Sequence, residues 1–189
     1  QEAQARIGKR ETMETFGRKI IRPFMPDQHR TFFEQLPFVV LGSVDDAGWP
    51  WASIVTGGAG FIASPNSKRL DVAARPVGDD PLRGALDIGA SIGMLGIEVS
   101  TRRRNRMNAN VISTSDKGFS LGVVQSFGNC PQYIQTRDIE FMRDPSAQIE
   151  RRATDHFTTL DDIATAFIEV ADKYFVSSFN RPDNGPASG

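Results

Sequence analysis

The sequence predicts a mainly β protein with flanking helices, of the α+β class, and three observations carry that expectation. Short runs of β-branched and apolar residues alternate with tight-turn strings rich in Gly, Asp, Asn and Pro. One pair of runs, 104–114 and 119–126, brackets Asp116-Lys117-Gly118 as strands bracket a hairpin turn. A single strongly periodic stretch, Leu160, Ile163, Ala164, Phe167, Ile168 and Ala171, has the i, i+3, i+4, i+7 spacing of one helix face. Many short strands joined by tight turns make an antiparallel barrel or sandwich the expected architecture.

Residues 1–20 are charged and helix-permissive, with sparse apolar positions at Ile7, Met13, Phe16 and Ile20. Pro23 and Pro26 interrupt the chain, and Asp27 is placed to cap a short helix over 27–35 with Phe32, Phe33 and Leu36 on its apolar side. Strands are expected over 38–44 and 51–56, joined through Asp45-Asp46-Ala47-Gly48. Gly57, Gly58 and Gly60 mark a bend or a close backbone approach. Strands over 61–63 and 70–74 flank Ser64-Pro65-Asn66-Ser67-Lys68, a short helix fits 79–87, and 92–99 reads as a strand. Two more strands are expected at 139–142 and 175–179. The helix over 160–171 starts at Thr158 and Thr159, each with an aspartate three residues on, a capping-box-like pattern.

Composition bounds the function. Of 189 residues, 22 are Lys or Arg and 23 are Asp or Glu, so the chain lacks the basic excess of a dedicated nucleic-acid binder. The single cysteine, Cys130, excludes an intramolecular disulfide and a cysteine-based metal cluster. The two histidines, His29 and His156, are read as surface or capping residues. No run approaches the ~18 apolar residues of a membrane-spanning helix, and no signal peptide is visible, so the expectation is a soluble cytoplasmic protein. The chain starts at Gln1 and stops in a turn-like string, as a fragment or a floppy tail would. Phe32-Phe33-Glu34 leading to Pro50-Trp51-Ala52-Ser53 is echoed by Phe167-Ile168-Glu169 leading to Pro186-Ala187-Ser188. The echo leaves open a second, truncated module starting near residue 160; coincidence in short strings is the alternative. The expected organisation is a helical extension over 1–25, a barrel over 26–145 and a helix and strand over 146–189.

Three segments have the composition of a site. In 104–111, if extended, Arg104, Arg106, Asn108 and Asn110 share one face, while Asn105, Met107, Ala109 and Val111 share the other. Guanidinium groups offer forked, permanent donors that match phosphate oxygens; the competing reading is an edge strand whose arginines face water. The loop 125–135 concentrates Gln125, Ser126, Asn129, Gln132, Tyr133 and Gln135, donors able to read a planar heterocycle or simply to cap their own backbone. Trp51-Ala52-Ser53 runs into the glycine-rich 57–60, where small residues let a flat ligand lie on backbone and Trp51 either shields it or packs in the core. No GxSxG, Walker A or HExxH motif is present.

Taken together, Leu36-Pro37-Phe38, Asp45 to Gly48 with Pro50-Trp51-Ala52-Ser53, Gly60-Phe61 with Ser64-Pro65, Leu95-Gly96-Ile97, the string TRRRNR at 101–106 and the string QSFGNCPQYIQ at 125–135 resemble the pyridoxamine 5′-phosphate oxidase-like family. The resemblance runs from about Gln28 to Arg137. It implies a six-stranded Greek-key split barrel of the FMN-binding type, a homodimer with FMN at the interface, and flavin-mediated transfer of a hydride or electrons to or from a small molecule, with a nicotinamide nucleotide among the donors. Carried over by position, it implies Trp51, Ala52 and Ser53 beside the ring or ribityl chain, Ser64, Ser67 and Lys68 near the phosphate, Arg104, Asn105 and Arg106 facing the cofactor, and Asn129, Gln132 and Tyr133 touching flavin or substrate. Trp51 and Thr56 stand where the oxidase carries phosphate-gripping cations on its second strand, which argues against pyridoxamine phosphate as the substrate. A non-catalytic flavin or haem carrier, or a dimerisation scaffold, is the alternative within the same fold.

Overall fold

The computed structural model describes residues 20–130, 134–145, 147 and 158–179. The expected helix over 1–20 therefore lies outside the described residues except at its end, as do His156, Gln132, Tyr133 and Pro186-Ala187-Ser188 of the internal echo. The elements are α1 (Asp27–Glu34), β1 (Phe38–Val44), β2 (Pro50–Thr56), β3 (Ile62–Asn66), β4 (Arg69–Val72), a 3-10 turn (Pro81–Arg83), β5 (Ser91–Glu98), β6 (Arg103–Ser115), β7 (Gly118–Gly128) and α2 (Asp162–Val170). All seven strands join one sheet in the order β2-β1-β5-β6-β7-β4-β3, and every pairing is antiparallel. Two hairpins thus flank a central meander. The count is seven strands, not six, because Ile62–Asn66 and Arg69–Val72 pair with each other and the second of them also pairs with β7.

The chain itself forces this sheet to curl. Its edge strands, β2 and β3, are consecutive and separated only by residues 57–61. A flat sheet would hold its edges six spacings of ~4.8 Å apart, about 29 Å, whereas the link from Thr56 to Ile62 reaches at most about 21 Å. The glycines of the link make the turn possible. A Cβ on Gly57 would lie 2.3 Å from the Phe61 ring, and Gly60 has φ +80°. No ladder joins β2 to β3 in the sheet order, so the curl stops short of a closed barrel.

The curled inner face is the core. Val39, Leu41, Val55, Ile62, Leu70, Ile92, Met94, Met107, Val111 and Leu121 are among the buried residues it contributes. Helix α1 plugs one side: Phe32 and Phe33 are fully buried and meet edge to face at 5.4 Å. Asp27 is not the cap of α1. Pro26 stands at that position, and Asp27 sits in the first turn paired with Arg30 at 2.9 Å. His29 is not a surface residue either. It is buried on α1, with Nδ1 2.8 Å from Ser126 Oγ on β7. Burial, and after it the charges of Arg22 and Arg103, hold its imidazole below the ordinary value. A base whose folded pKa is depressed stabilises the fold only while neutral: stability is intact above about pH 6.5 and is lost as pH falls through the folded value. Thermal melts between pH 8 and 5 are therefore expected to show a fall in Tm that His29→Gln reduces; parallel curves would remove His29 as the sensor.

Helix α2 matches the expected periodicity, but its cap is Asp161, whose side chain accepts from Ala164 N at 2.7 Å, not Thr158 or Thr159. None of its residues is buried. Residues 139–142 form no strand. Residues 175–179 are likewise unpaired, yet half-buried and exposed positions alternate from Lys173 to Phe179 with the period of an extended chain. No described helix is long and apolar enough to cross a membrane.

Candidate functional site

The outer face of the sheet carries the chemistry, and strand register assembles it. Alternation on β6 buries Asn105, Met107, Ala109 and Val111 inward and turns Arg104, Arg106 and Asn108 outward, as the spacing predicts. Antiparallel pairing then aligns Ala52 with Gly42, Gly42 with Gly93, Gly93 with Asn108 and Asn108 with Gln125. This cross-strand row starts with three small residues and ends with two amides; Asn108 Nδ2 donates to Gln125 Oε1 at 2.9 Å. The adjacent row reads Ile54, Val40, Leu95, Arg106 and Phe127. An irregularity after Asn108, where Ala109 pairs with Val123, leaves Val124 as the extra residue and keeps Gln125 opposite Asn108.

Over these rows, short of Gln125 and Ile54 at their ends, lies a cavity of about 660 Å3, roofed by Ile134 and residues 172–179. That volume is within the ~300–1,000 Å3 range of small-molecule sites. Its floor is smooth because Gly42 and Gly93 face each other across β1 and β5. A Cβ on Gly93 would meet nothing nearer than Asn108 Oδ1 at 4.0 Å, so a side chain there would project into open space.

The cavity is cationic. Arg104 and Arg106 line the floor and Lys173 the roof. Asp172 also lines it, but its carboxylate is held by Arg137 at 2.7 Å, and this hydrogen bond keeps it below the usual carboxylate range. Arg104 is pinned by Nη2, which donates to Asn129 Oδ1 at 3.2 Å and to the Cys130 carbonyl at 2.6 Å. Its Nε is buried and has no hydrogen-bond partner among the described residues. Burial, then the charge of Arg106, lowers its pKa; the group remains cationic at any ordinary pH.

The residues singled out from sequence divide accordingly. Ala52, Arg104 and Arg106 line the cavity, and Asn129 fixes Arg104. Asn105 is buried on the opposite face. Trp51 donates through Nε1 to Asp45 Oδ2 at 2.8 Å and so closes its own hairpin. Ser53 donates to Asp80 Oδ1 at 2.6 Å, tying β2 to the 3-10 turn that Asp80 caps. Ser64 is saturated: its hydroxyl donates to the carbonyls of Asn66 or Arg69 and accepts from Arg30 Nε at 3.1 Å. Ser67 accepts from Met25 N through its carbonyl, and Lys68 is exposed. None of these last four lines the cavity. Gly42, Gly93 and Lys173 were not singled out from sequence. Glycine inside a strand-like run signals close approach, but nothing local says that two such glycines are cross-strand neighbours. Cys130 is an exposed free thiol. Among the described residues no group of three or more His, Cys, Asp or Glu could hold a metal ion.

No family model matches the chain, and no curated protein matches it. Among solved structures, a 1.98 Å crystal structure of a HupZ variant from Group A Streptococcus is similar to 56% of this chain and 99% of its own, at 10% identity and a TM-score of 0.43. An F420 reductase is similar to 56% of this chain and 97% of its own, at 12% identity and a TM-score of 0.34.

Proposed function

We propose that the outer-face cavity binds FMN and that the protein is a flavin-dependent oxidoreductase acting on a small molecule. The observation that carries the reading is the row Ala52, Gly42, Gly93, Asn108, Gln125. Positions without side-chain bulk let a planar ring lie against backbone, and Asn108, which lines the cavity and is held from behind by Gln125, offers its amide to the ring's polar edge. Arg104, with its unpartnered Nε, and Arg106 match a phosphate in charge. Residues 172–179 keep water from the ring. FMN, when bound, supplies the hydride or electron transfer. The sequence resemblance supports the same reading and adds a homodimer with a nicotinamide nucleotide or another small conjugated molecule as redox partner. In this proposal Ala52, Arg104 and Arg106 contact the cofactor and Asn129 positions Arg104, while Trp51, Ser53, Ser64 and Ser67 hold the scaffold.

One observation favours a second reading, a non-catalytic flavin carrier: the carboxylate at the cavity is locked to Arg137, and no described lining side chain is an imidazole. Reduction of bound flavin by a nicotinamide nucleotide separates the two, since a carrier turns over no donor. Titration of the protein with FMN tests both. Arg104→Ala is expected to weaken FMN binding roughly five- to 150-fold, the loss of a charged hydrogen bond of about 1–3 kcal/mol. Unchanged affinity would remove Arg104 from the site.

A further inference from the structure

The roof and the floor of the cavity are held by different means. Among the described residues, no backbone hydrogen bond joins 172–179 to any strand. The core cluster takes no member from beyond Val123, and the helix leading into the roof, α2, has no buried residue. Among the described residues two polar contacts, both at the start of the segment, tie it down. Arg137 Nη2 meets Asp172 Oδ2 at 2.7 Å, and Lys173 Nζ donates to the Gln135 carbonyl at 3.3 Å. Arg137 is itself fixed to the sheet, its backbone N–H donating to the Val99 carbonyl at 3.2 Å just past β5. Further along, Ser177 Oγ sits 3.0 Å from the position that a Cβ on Gly42 would take, so the segment rests directly on the glycine floor.

We propose that residues 172–179 are a movable strap that opens and closes the cavity, latched by the Arg137–Asp172 ion pair. Opening breaks no ladder; it costs the latch, the half-buried contacts of Lys173, Phe175, Ser177 and Phe179, and the cover over Val40, a buried residue of the cavity floor. The partners of the latch are 47% and 61% exposed. Such a pair holds weakly and is screened by salt, which suits a cover that must release. The proposal concerns access alone and stands whether or not the occupant is FMN.

The test uses the full chain and needs no flavin. Gly93→Cys in a Cys130→Ser background places one thiol on the floor, where the backbone has room for it. Its rate of labelling by a bulky maleimide dye reports opening. Adding Asp172→Asn is expected to speed labelling about two- to five-fold, as loss of an exposed ion pair would. Salt at 1 M should speed the parent similarly and the Asn variant little. A second variant, Gly42→Cys with Ser177→Cys, checks the closed position: the Ser177 Cβ lies 3.9 Å from a Cβ built on Gly42, close to the ~3.8 Å of a disulfide. Spontaneous oxidation to that disulfide is expected. Equal labelling rates with and without Asp172→Asn would overturn the latch, and failure of the two cysteines to join would overturn the cover, irrespective of FMN binding.

Discussion

Replacing Phe32 by alanine is expected to lower unfolding free energy by about 3–5 kcal/mol, measured by urea denaturation. The side chain is fully buried on α1 and packs edge to face with Phe33. The Arg103 guanidinium lies 5.1 Å from its ring centroid. On the sheet side its ring approaches Gly96 so closely that a Cβ there would lie 2.7 Å from Phe32, Phe33 and Leu36 alike. The space left by alanine is bounded by β5 backbone and by a second fully buried ring, neither of which can collapse to fill it, so the upper part of the range is expected. Because marginal stability is about 5–15 kcal/mol, this one change would consume much of the total. Phe32→Leu should cost less, about 1–2 kcal/mol, since most of the volume is retained. A loss under 1 kcal/mol for Phe32→Ala would mean that α1 does not seal the sheet. The consequence for the site is indirect but definite. Arg103 and Arg104 leave β6 on opposite faces, and α1 braces the inner side of the strand whose outer side carries Gly93 and Leu95.

Local patterns in the chain identify what lies on each side of β6. The alternation of Arg104, Arg106 and Asn108 with Asn105, Met107 and Ala109 is a property of the segment itself, so it survives into the fold unchanged. The turns are similarly local: Asp45 accepts from Trp49 N and Gly48 takes φ +87°, as an Asp-Asp-Ala-Gly string favours. What is not local was misread or missed. The pairing of Gly42 with Gly93 depends on a register between strands about fifty residues apart in sequence. His29 reads as a surface residue because its partner, Ser126, lies 97 positions away. Ser64, which the resemblance implies near a phosphate, is bonded to Arg30 and the Arg69 carbonyl, partners that its own neighbours do not reveal. Residues 175–179 have a strand's alternation without a strand's ladder: side-chain periodicity is written in the sequence, whereas the neighbour that would complete the hydrogen bonds is not. The apolar stripe of α2 follows the same logic. Ile163 and Phe167 fall on one face as expected, yet they are 78% and 77% exposed.

Gly93→Ile is expected to abolish cofactor binding while leaving the fold intact, and it therefore bears hardest on the proposed site. Gly93 is in the middle of β5, opposite Gly42 on one side and Asn108 on the other. Its φ is not in the left-handed region, and a Cβ meets no atom within normal contact distance except Asn108 Oδ1 at 4.0 Å. A β-branched residue thus suits the backbone, and strand propensity should raise stability slightly, by up to ~1 kcal/mol. The same side chain, however, rises from the floor into the space where a planar ring would lie. A ring held off backbone contact loses its dispersion with the floor and its alignment with Asn108 together, so FMN affinity should fall at least about 100-fold, near 2.7 kcal/mol. Gly93→Ala, which adds one methyl, should fall between the variant and the parent. Melting temperature and FMN titration, read side by side, separate the cases. A stable variant that no longer binds places the ring over Gly93. A stable variant that binds as well as the parent would move the cofactor off this face. The pair of measurements also discriminates against a general packing defect, because overpacking in the core lowers both quantities, whereas filling an open floor lowers only one.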